Sequence, residues 1–332
     1  MSKGLRIAAI ALLCAGGALL LAGAALFIVG LGLEGWDVRA LNNAHYETRS
    51  YTAHGEIETV RIDYENAHIR IESGESFALS YPVRTDGDGE ALAEVTVTEE
   101  DGALTVTEED GFLQWGIGFG TKTPELVLTL PDGAYGAIAA SSSAGSVTAE
   151  GISAAELTLR SDAGGVAAKE VRVSGSAAFT ANLGDISLQG VDAGSVTASA
   201  DVGAIETEAV RVAGSAAFAA ALGDISLQDI EGGSVSASAD MGKVDAENVR
   251  AAGEISLSAS VGNVDAEGID GADVQLASEM GDVRASLAGA KEAYTIRVRT
   301  EMGESNVVDR DGGSRRLTAE TGMGNIRIEF LG

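Results

Sequence analysis

The chain has one cysteine, Cys14, so no disulfide can form within it and its stability has to come from packing. Aromatic residues make up 5% of the chain and prolines number three in 332 residues, which excludes both a ring-rich core and a proline-rich rod. Basic residues are scarce: 22 Lys and Arg stand against 50 Asp and Glu, for a net charge of −28. No basic cluster occurs, and nucleic-acid partners are excluded because phosphate backbones are held through Lys and Arg. The three histidines, His45, His54 and His68, lack metal-ligand spacing, and no Gly-x-Ser-x-Gly elbow accompanies them.

What the chain has is glycine, 44 residues of it, placed regularly. Residues 175–213 and 214–252 are two copies of one block, with roughly two thirds of positions identical. Within each copy an apolar residue, a glycine and then Val or Ile two places on recur at half that interval. The glycines are Gly145, Gly164, Gly184, Gly203, Gly223, Gly242, Gly262, Gly281, Gly303 and Gly324, spaced 19–22 residues apart. A unit this short cannot bury its own apolar face, so units must stack as a solenoid.

Counting from each glycine defines the coil. Five places before it stand Phe179, Ala198, Phe218, Ala237, Leu257 and Leu276; three before stand Ala181, Ala200, Ala220, Ala239, Ala259 and Ser278. Two after it stand Ile186, Ile205, Ile225, Val244, Val264 and Val283. Apolar residues at alternate places are strand periodicity, and these columns are read as inward-facing. The column one before the glycine, Leu183, Val202, Leu222, Met241, Val261 and Met280, is read the same way, with the glycine as the corner. The expected fold is all-β: a parallel β-solenoid of about ten coils, with the right hand preferred because most parallel crossover connections have it and a left-handed form with shorter coils as the alternative. At about 4.8 Å per coil it would be on the order of 50 Å long.

Lys3 and Arg6 precede an uncharged run from Ile7 to Leu33, long enough to span a bilayer as one helix; a signal peptide cleaved at Ala22-Gly23-Ala24 is the alternative, and the apolar run beyond it favours a retained anchor. Basic residues before the run, and Glu34 and Asp37 after it, predict a cytoplasmic amino terminus and an outward-facing remainder. The predicted organisation is a stub and membrane anchor (1–33), a juxtamembrane linker (34–50) with Trp36 at the interface, an irregular β region capping the solenoid (51–135), and the regular repeats (136–332). Strands are expected at 60–64, 67–71, 77–81, 94–98, 104–106 and 125–130, with turns at 86–89 and 100–102. Ile326, Ile328 and Phe330 are expected to cap the far end, since open parallel edges pair with other molecules.

The uncharged span followed by Gly35-Trp36-Asp37, the Tyr46-Glu47-Thr48 and Tyr51 segment, Trp115-Gly116-Ile117-Gly118-Phe119, Leu130-Pro131 and the glycine coils resemble domain-of-unknown-function family 4097. That family comprises membrane-anchored β-strand-repeat proteins, common in Gram-positive bacteria and described as candidate adhesins. Its usual Thr-Gly-Asp-Val corner here reads Leu183-Gly-Asp-Ile186, Met241-Gly-Lys-Val244 or Val261-Gly-Asn-Val264, so the threonine ladder is missing. The resemblance implies no reaction, cofactor or catalytic residue.

Asp185, Asp224 and Asp282, with Asn263 and Asn325, form the one column whose chemistry suggests a ligand, because stacked carboxylates bind Ca²⁺ in some β-rolls. Asp and Asn are also favoured at tight corners for their own backbone bonds, and Ala204 and Lys243 interrupt the column, so turn chemistry is the expected role. Asp86-Gly-Asp88-Gly-Glu90 lacks the later residues of a calcium loop, and Gly116-Ile-Gly118-Phe-Gly120 lacks a following helix. Among fifty acids, chance pairs with glycosidase-like spacing abound. Arg315-Arg316 is expected to balance neighbouring acids. No catalytic residue, metal or cofactor is predicted. The expected protein is a non-enzymatic cell-surface scaffold, with a single membrane span and a cell-wall or glycan ligand as its partners. Its oligomeric state is left open. An envelope-stress or signalling role and a carbohydrate-active β-helix enzyme are the alternatives.

Overall fold

A computed structural model of the chain describes residues 45–85, 91–110 and 123–332. The predicted span at Ile7–Leu33, Cys14, Trp36, the turn at 86–89 and the Gly111–Lys122 segment lie outside these residues. Among the described residues no helix is long and apolar enough to cross a membrane. Two compact units are present. The described residues of the smaller are 45–47, 83–85, 91–93 and 110, with an antiparallel bridge between Thr85 and Ala91. The larger comprises Thr48–Pro82, Glu94–Glu109 and Thr123–Gly332, and is a parallel β-solenoid.

One coil shows how sequence makes the solenoid. In strand Ser215–Leu222 the buried residues are Ala216, Phe218 and Ala220; in strand Ile225–Gly232 they are Ile225, Leu227 and Ile230. Within each run burial alternates, as β geometry demands. Between Ala220 and Ile225, between Leu227 and Ile230, and between Ile230 and Val235 of the next coil the step is odd, so the inward direction changes wall. A coil therefore has three walls. Each wall pairs in parallel with the next coil, Phe218 beside Ala237 and Ile225 beside Val244. Phe179, Ala198, Phe218 and Ala237 are neighbours in that order, all buried, so large and small side chains alternate from level to level. That alternation supplies a packing reason for a sequence block two coils long.

The columns five and three before the glycine and two after it face inward, as the sequence predicts. The column one before it does not: Leu183 is 58% exposed and Met241 55%, and Val202, Leu222, Val261 and Met280 are exposed with them. The wall ends sooner than alternation suggests. Its last inward residue lies three places before the glycine, and the residue next to the glycine stands on the convex side of the corner, where no core is available.

The glycines stack directly. A Cβ on Gly223 would lie 2.0 Å from the carbonyl oxygen of Gly203, and one on Gly242 2.0 Å from that of Gly223. A second corner carries positive φ without an obvious signature, at Glu170, Gly190, Ala209, Asp229, Asn248 and Gly268. Left-handed backbone costs a non-glycine residue about 1–2 kcal/mol, and added freedom of the unfolded chain offsets part of any gain from glycine. Ala209→Gly, at φ 55°, is therefore expected to raise stability by about 0.5–1 kcal/mol. Denaturant titration would show it as a higher midpoint at unchanged slope; a lower midpoint would argue against strain at this corner.

Coils do not all stack in chain order. Strand Thr59–Tyr64 lies between Ala103–Asp110 and Ala134–Ala144, so the chain runs outward one level and then passes back over it. The far end mirrors this: Arg315–Met323 inserts between Asp273–Met280 and Tyr294–Met302. Ile326–Phe330, predicted as a cap, pairs with Val283–Leu287 as an ordinary wall. The edge of Tyr294–Met302 is instead covered by the chain near Arg310, with Ile296 and Arg310 exchanging backbone hydrogen bonds of 2.8 and 3.0 Å in antiparallel sense. The Asn306 side chain covers the edge of Ile326–Phe330 by bonding both the N–H and the carbonyl of Ile328. At the opposite end Ala78–Ser80 runs antiparallel to Val127–Thr129. An antiparallel segment blocks a parallel edge from templating further strands.

Candidate functional site

The column just after the glycines is built from backbone outward. Asp185 Oδ1 accepts the N–H of Ala204 at 2.8 Å, and Asp224 Oδ1 that of Lys243 at 2.9 Å. Asn263 accepts from Asp282, Asp282 from Asn325, and Asn325 from Glu304, at 2.9, 2.8 and 3.0 Å. Each bond crosses to the next level, so this column stitches coils together rather than closing its own turn. The geometry also explains the interruptions: Ala204 and Lys243 need only donate a backbone N–H. Asp and Asn are equivalent here because one side-chain oxygen suffices. Among the described residues no group of three or more His, Cys, Asp or Glu is arranged to hold a metal ion.

Several basic residues are paired locally. Lys243 pairs with Asp245, and that hydrogen bond, with the nearby acids, raises its amine above the ordinary lysine value. Arg284 lies between Asp265 at 3.1 Å and Asp282 at 2.5 Å. Arg315 donates to the carbonyls of Gly271 and Ala288, pairs with Asp270 and lies 4.7 Å from the centre of the Tyr294 ring. Arg316 pairs with Asp273 at 2.6 Å. The basic pair thus balances its neighbours, as its position in the sequence suggests.

The histidines do not converge. His68 Nδ1 accepts the N–H of Ser146 at 2.9 Å, joining two levels, whereas His54 lies near Tyr51 and Glu99 and His45 is exposed. Glu99 accepts bonds from the His54 N–H and the Tyr51 hydroxyl, and these hold its carboxyl below the usual range. The buried Glu108 receives the N–H groups of Glu65 and Asn66, both at 3.0 Å, which is a structural task.

What sequence reasoning missed is the outward apolar ladder. In stacking order it runs Leu183, Val202, Leu222, Met241, Val261, Met280, Met323 and Met302, one exposed residue per level. Alternation gave no warning of it, because an acid immediately before an inward residue, as Arg172 before buried Val173 shows for a charge of the other sign, is the ordinary strand pattern.

The family model of Toastrack DUF4097 matches residues 57–197 and again 191–331. Among solved structures, a candidate lipid-binding protein from Parabacteroides distasonis ATCC 8503 is similar, at 13% identity and TM-score 0.46, over 88% of this chain and 98% of that one. A candidate adhesin from Bacteroides fragilis NCTC 9343 is similar at 14% identity and TM-score 0.38, over 86% and 97%. Another, from Parabacteroides merdae ATCC 43184, is similar at 11% and 0.37, over 86% and 96%. No curated protein matches the chain in sequence. At these values the names of the three proteins do not bear on what this chain binds.

Proposed function

Since the chain belongs to the Toastrack DUF4097 family, we propose that it is a non-enzymatic binding scaffold, anchored in the cell membrane by its first 33 residues and presenting an acidic solenoid outward. One observation carries the reading. Level after level presents the same side-chain chemistry, and the polar groups best placed for catalysis or metal binding are spent on bonds between levels. A repeated surface suits an extended contact better than a single reaction centre. The anchor rests on the uncharged run behind Lys3 and Arg6, and the outward orientation on that charge order.

The full chain in neutral detergent, applied to isolated bacterial cell walls and to immobilised host glycans with and without Ca²⁺, is expected to be retained saturably on one of them. Loss of retention under a chelator would turn the corner carboxylates into ion ligands. Passage through every surface unretained would rule out the wall and glycan ligands.

A further inference from the structure

The exposed ladder is continuous, apolar and edged with negative charge. Every methionine beyond the first residue lies on it: Met241, Met280, Met323 and Met302. Methionine is flexible and polarisable, and surfaces rich in it adapt to apolar faces of varied sequence. On the side preceding the ladder stand the exposed acids Asp201, Asp240, Glu279 and Glu301. On the side following it stand Asp185, Asp224, Asp282 and Glu304, the first three held at the corner by their bonds to the next level. Lys243 is the one base in those two columns at these levels, and Asp245 occupies it.

This arrangement selects its occupant. A second copy laid ladder to ladder would bring acid against acid on both flanks, and an anionic lipid surface would meet the same repulsion. A partner that buries the ladder needs an apolar row with cations on either side. The spacing selects its conformation. Ladder residues recur at about 4.8 Å. A helix presents one apolar side chain per turn, about 5.4 Å apart, whereas an extended strand returns to one face only every 6.6–6.8 Å or so. The helix stays in step over several levels; the strand does not. Seven steps of about 4.8 Å give roughly 34 Å, the length of a helix of some 22 residues.

We propose that the Leu183-to-Met302 ladder is a docking surface for a basic amphipathic α-helix, whose apolar stripe lies along the ladder and whose Lys and Arg side chains pair with the acids on both edges. This surface is additional to any wall or glycan contact and stands or falls independently of it.

The test uses the full chain in neutral detergent and a synthetic 22-residue peptide with leucine at helical spacing, lysine on both sides of that stripe, and a photo-reactive group on one leucine. A peptide of identical composition but scrambled order is the control for simple attraction to a chain of net charge −28. The patterned peptide is expected to cross-link to the ladder or its two flanking columns. The yield should fall at least tenfold for the scrambled peptide, and at least tenfold in a chain carrying Leu222→Ser with Met241→Ser. Both residues are exposed, so the coil should survive, and an unchanged melting curve verifies this.

Equal cross-linking of the two peptides, or cross-links scattered over the acidic surface, would reduce the interaction to charge and overturn the proposal. So would a wild-type dimer that the serine substitutions convert to monomer, because a second copy would then cover the ladder. Quenching of Met241→Trp fluorescence by brominated phosphatidylcholine vesicles would assign the ladder to lipid and overturn it equally. Failure of wall retention alongside ladder-specific cross-linking would leave this inference intact.

Discussion

The chain carrying Gly223→Ala melts about 6–10 °C below the parent, the consequence of two costs that add at one atom. Gly223 has φ 155°, a region open to glycine and closed to other residues, where a side chain costs about 1–3 kcal/mol. The new Cβ also lies 2.0 Å from the Gly203 carbonyl oxygen, which is backbone and cannot rotate away. Relieving that contact means separating two levels whose corners are joined by the Gly203 N–H to Leu222 carbonyl bond of 2.9 Å. Overpacking of this kind adds about 2 kcal/mol more, for a total of about 3–5 kcal/mol. Hydrogen exchange should locate the loss at the levels of Gly203, Gly223 and Gly242, since a solenoid's stability is largely a sum over nearest-neighbour interfaces. A melting point within a degree of the parent would contradict the stacked-glycine corner.

Ala239→Phe is the second large effect, and it tests the interior rather than the corner. Ala239 is wholly buried and sits in register between Ala220 and Ala259, themselves buried, so the wall at this place is only one methyl deep over three levels. Phe218 and Leu257 already fill the positions two residues earlier in the adjoining levels. Phe218 likewise has alanines, Ala198 and Ala237, beside it in register, but the column through Ala239 holds alanine at every level from Ala181 to Ala259, so nothing in it is spaced for a ring. The expected cost is about 3 kcal/mol, at the upper end for overpacked cores. Calorimetry would register a melting point lower by several degrees, about 2 °C for each kcal/mol in a chain this long. An unchanged value would mean that the column three before the glycine does not face the core. The same substitution at an exposed ladder position, Val261→Phe, should leave the melting point nearly unaltered, which separates bulk from burial.

Much of the candidate surface follows from particular residues. The acid column after the glycines was legible as turn chemistry because Lys243 and Ala204 break it, and the bonds to the next level account for both the acids and the gaps. The strand at 125–130 was legible from Glu125-Leu-Val-Leu-Thr-Leu130, and the turn at 100–102 from Glu100-Asp101-Gly102, where Asp101 and Gly102 take positive φ. The ladder was not legible. A step of three from Leu222 to Ile225 and a step of five from Ala220 to Ile225 are both odd, so either breaks the alternation by the same parity.

The period, the glycine corners and the three inward columns are readable in the residues alone, because one coil's alternation and its neighbours' repetition reinforce each other at every level. The charge, and with it the class of partner the surface repels, is readable there too. Three things waited for the tertiary structure. The direction of the residue before each glycine depends on where the wall stops, which stacking decides. The left-handed backbone at Glu170 and Ala209 is imposed by the levels on either side and not by those residues' own preference. The exchanged order of coils at both ends pairs residues distant in sequence, such as Asp273 with Arg316, and no local pattern specifies which edge an end coil will fill.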